Sequence, residues 1–189
     1  MKLTIADLQA MKREGRKIAA VVCWDANSAG LADSAGAEIV SVGDSAAADF
    51  DELVVYCRAV RRAVRRALVS CDLPEPTVER ARTLLDEGAD LVKIESHVAE
   101  LAAAGIPVFA QMSGGGVDEA RRLEADGAAL IDCRYAAEGV ADAVSIPVLG
   151  GLGGGPWLDG RIRAVHRLLD EPLTQYVEDV RAGRAVKGD

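Results

Sequence analysis

The chain has few of the residues on which several common kinds of protein depend. Aromatic residues make up only 4% of its 189 residues, and there are only two histidines. The four cysteines are widely separated and include no Cys-x-x-Cys pair: Cys23, Cys57, Cys71 and Cys133. This spacing argues against both a disulfide framework and a zinc knuckle, so we expect four free, buried thiols.

Long apolar runs and an excess of positive charge are also absent. No stretch approaches the ~18 apolar residues that a membrane span needs, and the first 17 residues lack the apolar core of a signal peptide. The net charge of -8 argues against a nucleic-acid partner. The arginines between 58 and 66 alternate with Val and Ala at helical spacing, which predicts a solvated helix face. We therefore expect a cytoplasmic protein with a small-molecule partner and no membrane contact.

What the chain has in abundance is a repeated strand–helix unit. Short strands rich in β-branched residues are predicted at 17–22, 38–43, 67–71, 91–95, 107–111, 129–132, 147–150 and, with a weaker pattern, 161–166. Helical patterns rich in Ala, Leu, Arg and Glu lie between them, including one over 136–144. Four of these patterns end at a glycine, as helices often do: Gly36, Gly88, Gly105 and Gly127. This alternation predicts an α/β fold with a parallel sheet.

The number of units favours a closed barrel. Seven or eight strand–helix units predict a (β/α)8 barrel of the TIM type, with an open flavodoxin-like sheet as the alternative. Such barrels usually need ~250 residues, so this one must have short loops. An extra helix is predicted before the first strand, with a capping box at Thr4 and Asp7, and we expect it to close the bottom of the barrel. Because no linker is visible, a single domain over residues 1–189 is predicted.

Acidic residues end or follow most of the predicted strands. In a barrel the functional side chains gather where the strands end on the carboxyl side. Five of the first six strands have an acid there, and two further polar residues accompany them: Asp25, Asp44 with Ser45, Asp72, Glu95, Gln111 and Asp132. Inward-facing carboxylates are unfavourable unless they are paired or bind a ligand. The pattern therefore predicts a functional cluster at this end of the barrel.

The segment LVKIES is the most informative part of this cluster. Lys93 and Glu95 are two residues apart, so both point to the same side of a strand, towards the barrel interior. We interpret Asp44, Asp72 and Glu95 as an all-oxygen site for Mg²⁺ or a similar hard divalent ion. Lys93 would then hold an anionic substrate, and Asp132 would serve as a general base. Structural alternatives exist for each acid: a Lys93–Glu95 ion pair, a helix cap at Asp44, a turn cap at Asp72 and a structural acid at Asp132.

Several phrases, in order and spacing, resemble one enzyme family. They are TIADLQAMKREGRKI, LADSAGAEIVSVGDS, GADLVKIES, ADGAALIDC and SIPVLGGLGGGPWLDGRI. The chain resembles ketopantoate hydroxymethyltransferase, a member of the phosphoenolpyruvate mutase/isocitrate lyase-like barrels. The resemblance implies a Mg²⁺-dependent aldol-type reaction, in which the enolate of a 2-oxo acid attacks the one-carbon unit of methylenetetrahydrofolate.

The resemblance also implies roles for particular residues. Asp44, Asp72 and Glu95 match the family's metal-contacting acids. Ser45 and Lys93 match its contacts to the substrate carboxylate and keto oxygen. Because the family forms ring-like assemblies, a homo-oligomer is expected.

The chain departs from the family pattern at several points. Gln111 stands where the family has a histidine, and we assign it to substrate binding. Asp132 replaces a glutamate base and is one methylene shorter. The loop after VGDS and the segment after the fifth strand are shortened, and the final helices are trimmed. We therefore expect a diverged relative acting in a specialised biosynthetic pathway. The alternatives are a folate-independent lyase, mutase or hydrolase of the phosphoenolpyruvate mutase-like group, and a non-catalytic barrel subunit.

Overall fold

Parallel strands close into a barrel. A computed structural model describes residues 1–43, 49–114, 116–133, 138–151, 156–165 and 173–184. Within them each strand pairs with the next, and the eighth pairs back with the first. The strands are β1 (Ile18–Val22), β2 (Ile39–Val42), β3 (Leu68–Asp72), β4 (Leu91–Ile94), β5 (Val108–Gln111), β6 (Leu130–Asp132), β7 (Val148–Gly150) and β8 (Gly160–Ala164). The predicted (β/α)8 barrel is confirmed.

Helices alternate with most of these strands. They are α1 (Ile5–Arg13), α2 (Ala26–Ala35), α3 (Phe50–Ala63), α4 (Val78–Asp86), α5 (Val98–Ala103), α6 (Val117–Ala125) and α7 (Leu173–Arg181). The helix predicted over 136–144 is wrong in its described part, where only a short 3₁₀ turn forms at Ala141–Ala143. Gly139 has a φ of 81°, which is incompatible with a right-handed helix at that position.

The predicted helix ends are confirmed. Gly36, Gly88, Gly105 and Gly127 all have φ between 77° and 108°, a left-handed conformation that glycine adopts without a steric penalty. A predicted helix start is confirmed as well, because Thr4 caps the first turn of α1 with the expected capping box. Its hydroxyl accepts a hydrogen bond from the Asp7 backbone N–H, and the Asp7 side chain accepts one from the Thr4 backbone N–H. These local signals set where the strand–helix units begin and end.

The core has two layers, and α1 closes the inner one. Leu8 and Met11 of α1 pack with the inward-facing residues of the strands, among them Phe109. The outward-facing residues of the strands pack instead under the surrounding helices, and all four cysteines are buried thiols outside any disulfide. No helix in the described ranges is long and apolar enough to cross a bilayer. The apolar side chains of Leu8 and Met11 therefore close the barrel interior at this end.

Candidate active site at the carboxyl ends of the strands

The strand register gathers the predicted polar residues on one wall of the barrel. Asp72 of β3 pairs in register with Lys93 of β4, and Gln111 of β5 pairs with Asp132 of β6. Val92 and Ile94, which flank Lys93, pack in the outer layer with the helices, as the alternation predicts. Lys93 consequently points into the barrel, where its ammonium lies 6.0 Å from the centre of the Phe109 ring.

Lys93 bridges two carboxylates. Its Nζ lies 2.9 Å from Asp132 Oδ2 and 3.5 Å from Asp72 Oδ2, and its side chain is only 10% exposed. Burial by itself lowers the pKa of Lys93, but the two carboxylates outweigh that effect and hold its pKa above the ordinary value. The side chain is therefore a fixed positive charge at the floor of the site.

Hydroxyl groups lie beneath Asp72. The Ser41 Oγ is 3.3 Å from both Asp72 Oδ1 and Ser70 Oγ, and both serines are buried. Together, Ser41 and Lys93 engage the two oxygens of the Asp72 carboxylate. The sequence reasoning missed both serines, although Ser70 is two residues before Asp72 on the same strand and so shares its face.

Asp132 has one engaged and one unengaged oxygen. Its Oδ2 accepts the hydrogen bond from Lys93, whereas its Oδ1 is buried and has no hydrogen-bond partner among the described residues. A buried polar atom without a partner is unfavourable, and such atoms in native structures call for a functional explanation. The residue is 6% exposed, so this oxygen is largely shielded from bulk solvent.

Glu95 is positioned by a neighbouring amide. Gln111 Nε2 donates a hydrogen bond to Glu95 Oε1, which ties the end of β5 to the residue that follows β4. Glu95, Gln111, Asp72 and Lys93 line one polar cleft of about 230 Å³, together with Leu73, Pro74 and Ile94. The cleft is the size of a small organic acid rather than of a large cofactor.

Not every predicted acid belongs to this cluster. Asp25 is exposed and caps α2, where its Oδ1 accepts hydrogen bonds of 2.9 Å from the backbone N–H groups of Asn27 and Ser28. These bonds lower the pKa of Asp25 and give it a structural role, so its inclusion among the inward-facing acids was wrong. Asp44 and Ser45 lie outside the described residues.

The donor set fits a hard divalent ion. In the described ranges no group of three or more His, Cys, Asp or Glu side chains forms a ready metal site. Asp72 and Glu95 nevertheless share one cleft, and the predicted third ligand, Asp44, falls in an undescribed range. Mg²⁺ is commonly held by one or two carboxylates, with water and substrate oxygens completing its coordination. Two carboxylates in a polar cleft meet that requirement.

Comparison with known proteins decides the family. The family model for ketopantoate hydroxymethyltransferase matches residues 2–115. The 3-methyl-2-oxobutanoate hydroxymethyltransferase of Shewanella pealeana is 34% identical over 218 aligned positions, which cover 89% of this chain and 82% of that protein. The chain belongs to the ketopantoate hydroxymethyltransferase family. The predicted resemblance is thus confirmed, and with it membership of an enzyme family whose relatives are named as transferases.

The family model matches only the first part of this chain. The matched residues include Asp72, Lys93, Glu95 and Gln111, whereas Asp132 lies beyond them. The alignment with the Shewanella protein is longer than this whole chain, so the relative carries segments that the chain lacks. This agrees with the predicted shortening of the loops.

Solved structures confirm the fold. The 2,3-dimethylmalate lyase, a phosphoenolpyruvate mutase/isocitrate lyase superfamily member, superposes with a TM-score of 0.66 at 13% identity, over 86% of this chain and 81% of that one. A phosphonopyruvate hydrolase solved in complex with oxalate and Mg²⁺ gives 0.65 at 15% identity, over 95% and 85% of the two chains. At these identities the likeness establishes the barrel architecture.

Proposed function

We propose that this chain catalyses a Mg²⁺-dependent, aldol-type transfer of a hydroxymethyl group to a 2-oxo acid. The observation that carries the proposal is the state of Asp132. Lys93, which lines a cleft with two further acids, holds this carboxylate through one oxygen, and the other oxygen is buried without a hydrogen-bond partner among the described residues. That is the arrangement a general base needs.

The cleft offers complementary contacts for a 2-oxo acid. The ammonium of Lys93 would attract the negative oxygens of the substrate, and Gln111, which lines the same cleft, would offer a further contact. Ser45 is the second contact that the family resemblance implies. Asp72 and Glu95, with Asp44, would hold the metal. When bound, Mg²⁺ would stabilise the negative charge that develops on the keto oxygen as the neighbouring carbon loses its proton.

Asp132 would perform the proton transfer. Its Oδ1 takes the proton from the carbon beside the ketone and leaves the enolate of the 2-oxo acid. The hydrogen bond from Lys93 to Oδ2 keeps the carboxylate plane fixed, so the free oxygen stays directed at the reacting carbon. Because Lys93 and Asp132 are both buried, this fixed charge pair acts in an environment that screens it less than water does.

The transfer itself balances with methylenetetrahydrofolate and one water molecule. Water adds its oxygen to the methylene carbon, both C–N bonds of that carbon break, and the two donor nitrogens keep the electron pairs and gain the two water protons. The carbon is thereby released as formaldehyde. The enolate carbon then forms a C–C bond to it, and the resulting alkoxide takes back the proton held by Asp132.

An isotope exchange assay tests the first step. In D₂O with Mg²⁺, the wild-type protein is expected to exchange the proton beside the ketone of 2-oxoisovalerate. Asp132→Asn, which keeps the shape but removes the base, should slow the exchange by about 100-fold or more. Asp142→Asn, which alters an exposed acid on the 3₁₀ turn, serves as the control and should leave the rate unchanged. Exchange at the wild-type rate in Asp132→Asn would refute the assignment of the base.

The same assay separates the transferase from a folate-independent lyase, mutase or hydrolase. A transferase exchanges the proton with Mg²⁺ alone but forms the hydroxymethyl product only when methylenetetrahydrofolate is added. Cleavage or rearrangement of a 2-oxo acid without the donor would favour the second class. A protein that neither binds Mg²⁺ nor exchanges the proton would be a non-catalytic barrel subunit.

A further inference from the structure

One carboxylate holds the loop that joins β5 to α6. Glu119 lies in the first turn of α6, and its side chain is 15% exposed. Its Oε1 accepts hydrogen bonds of 2.8 Å from the backbone N–H and from the hydroxyl of Ser113. Its Oε2 accepts a hydrogen bond of 2.9 Å from the Gly114 N–H. Hydrogen bonds to a charged acceptor are stronger than those between neutral groups, so Glu119 is a firm anchor for the loop.

These bonds serve the loop rather than the start of the helix. Gly116 is the N-cap of α6 and provides no side-chain cap. Glu119 is the third residue of the helix, a position from which a carboxylate commonly bonds back to the N-cap residue. Here the carboxylate reaches further back along the chain, to Ser113 and Gly114. Glycine restrains the backbone less than any other residue, so the contact with Glu119 supplies a restraint that a segment with Gly114 and Gly116 lacks.

The anchored loop begins directly at the candidate active site. Gln111 is the last residue of β5, and Ser113 comes two residues later. Between them, the Met112 N–H donates a hydrogen bond of 2.9 Å to the backbone carbonyl of Asp132, the proposed base. The Gln111 side chain is buried, and its Nε2 donates a hydrogen bond to Glu95 Oε1. A shift of the chain at Ser113 would therefore move the amide that holds Glu95.

We infer that Glu119 is a positioning residue for the metal site. By anchoring the loop after β5, it keeps the Gln111 amide where that amide orients Glu95. The inference rests on the proposed function, because it concerns the metal that the proposed reaction uses. Hydrogen-bond partners orient the ligands of a metal, and their loss commonly lowers metal affinity by about 10- to 100-fold. Glu119 acts one contact further out, so its effect on Mg²⁺ binding should exist only while Gln111 is present.

A double-mutant cycle with a matched control tests this route. Glu119→Gln keeps the shape of the side chain but replaces one acceptor oxygen by an NH₂ group, which cannot accept a hydrogen bond from the loop. Gln111→Ala removes the amide that contacts Glu95, and a double variant combines the two changes. Asp118→Asn makes the same change of charge at the exposed neighbouring residue in the same turn and serves as the control.

Calorimetric titration with Mg²⁺ gives the Kd and the number of sites for each protein. Glu119→Gln should raise the Kd by about 10-fold and keep the number of sites, whereas partial unfolding would lower the number of sites and leave the Kd unchanged. Gln111→Ala should raise the Kd by about 10-fold or more. The double variant should bind no more weakly than Gln111→Ala, because residues that act through one another have non-additive effects. Asp118→Asn should match the wild type.

Proton exchange of 2-oxoisovalerate in D₂O provides a second readout. Glu119→Gln should need about 10-fold more Mg²⁺ for half-maximal exchange, and it should reach the wild-type rate once Mg²⁺ is saturating. A merely structural role would lower the maximal rate through loss of folded protein and leave the half-saturating concentration of Mg²⁺ unchanged.

The outcomes separate this role from the proposed reaction. If Glu119→Gln binds Mg²⁺ as tightly as the wild type, or weakens binding equally with and without Gln111, the positioning role is overturned, and the reaction stands wherever the wild type exchanges the proton. A wild type that binds no Mg²⁺ also overturns the role. If Glu119→Gln weakens binding only while Gln111 is present, the role is supported, even where the absence of proton exchange in the wild type overturns the proposed reaction.

Discussion

At the scale of single residues, the central feature is the position of Lys93 between two acids of different strands. Asp72 lies 3.5 Å from its Nζ on one side and Asp132 lies 2.9 Å away on the other. A lysine held in this way offsets part of the negative charge of the two carboxylates. It is also a poor nucleophile, because its ammonium is stabilised by both carboxylates, and this favours enolate chemistry over an imine with the 2-oxo acid.

Removal of this charge should be destabilising. Lys93→Met leaves two carboxylates facing one another without their cation, and loss of one partner from a buried ion pair costs about 3 kcal/mol or more. Urea denaturation of the two proteins measures the difference. Lys2→Met is the control, because Lys2 pairs with Asp90 on the surface with a side chain that is 46% exposed. That substitution should cost less than about 1 kcal/mol, and equal losses in the two variants would contradict the prediction.

The pH dependence of that loss follows from the raised pKa of Lys93. A lysine whose pKa is higher in the folded state stabilises the fold fully below its unfolded pKa of about 10.4, and the contribution disappears as pH rises through the folded value. The stability difference between wild type and Lys93→Met should therefore stay constant between about pH 6 and 9. A difference that shrinks within that range, in the same urea titrations, would show that the ammonium is not held by the two acids.

At the scale of elements, the loop between β4 and α5 has an unfavourable local conformation next to the residues of the site. Most helices described here start with a favourable cap, such as Thr4 on α1 and Thr77 on α4. His97 starts α5 without one and in a left-handed conformation. The strand before it supplies Lys93 and the turn supplies Glu95, so the strain lies at the point where the chain leaves the site.

Relief of that strain should stabilise the fold. Left-handed backbone costs a non-glycine residue ~1 kcal/mol, so His97→Gly should stabilise the protein by about that amount, less the extra flexibility of glycine in the unfolded chain. For a chain of this length, 1 kcal/mol raises the melting temperature by about 2–4 °C. Scanning calorimetry of His97→Gly against His97→Asn, which keeps the left-handed residue, isolates the backbone term. A fall in melting temperature only in His97→Gly would contradict this account.

At the scale of the whole molecule, this short chain forms a closed barrel because the segments that connect its strands are short. The 3₁₀ turn after β6 replaces a full helix, and the relative from Shewanella carries segments that have no counterpart here. The acid-lined cleft nevertheless lies at the carboxyl ends of β3, β4 and β5. The homo-oligomer expected from the family stays a prediction, for which light scattering of the purified protein is the measurement.

Metal binding should be visible as a change in the stability of the whole protein. A ligand that binds only the folded state at 100 times its dissociation constant adds about 2.7 kcal/mol. Saturating Mg²⁺ should therefore raise the melting temperature relative to protein in a chelator. Glu95→Gln should lose most of that rise, whereas Glu100→Gln, on the exposed side of α5, should retain it. Equal rises in both variants would remove Glu95 from the metal site.

The sequence by itself determined the features that depend on local periodicity. Alternation along each strand predicted that Lys93 faces inward while Val92 and Ile94 face the helices, and glycine chemistry predicted four of the helix ends. The order of these units predicted the barrel, and the motif phrases predicted the family. Such features are legible because side-chain direction repeats every two residues in a strand and helix termini have their own residue preferences.

Only the tertiary structure decided which of these side chains meet. The partners of Lys93 come from β3 and β6, and their identity depends on the stagger of strands around the closed barrel rather than on any local pattern. The same holds for the hydroxyl of Ser41 beneath Asp72, and for the Arg80 guanidinium of α4, which stacks over the Phe50 ring of α3. Asp25 shows the converse. Its position after a strand predicted that it belongs to the acidic cluster, but in the structure its side chain caps α2. Contacts between residues far apart in the chain are set by packing, which a single sequence does not display.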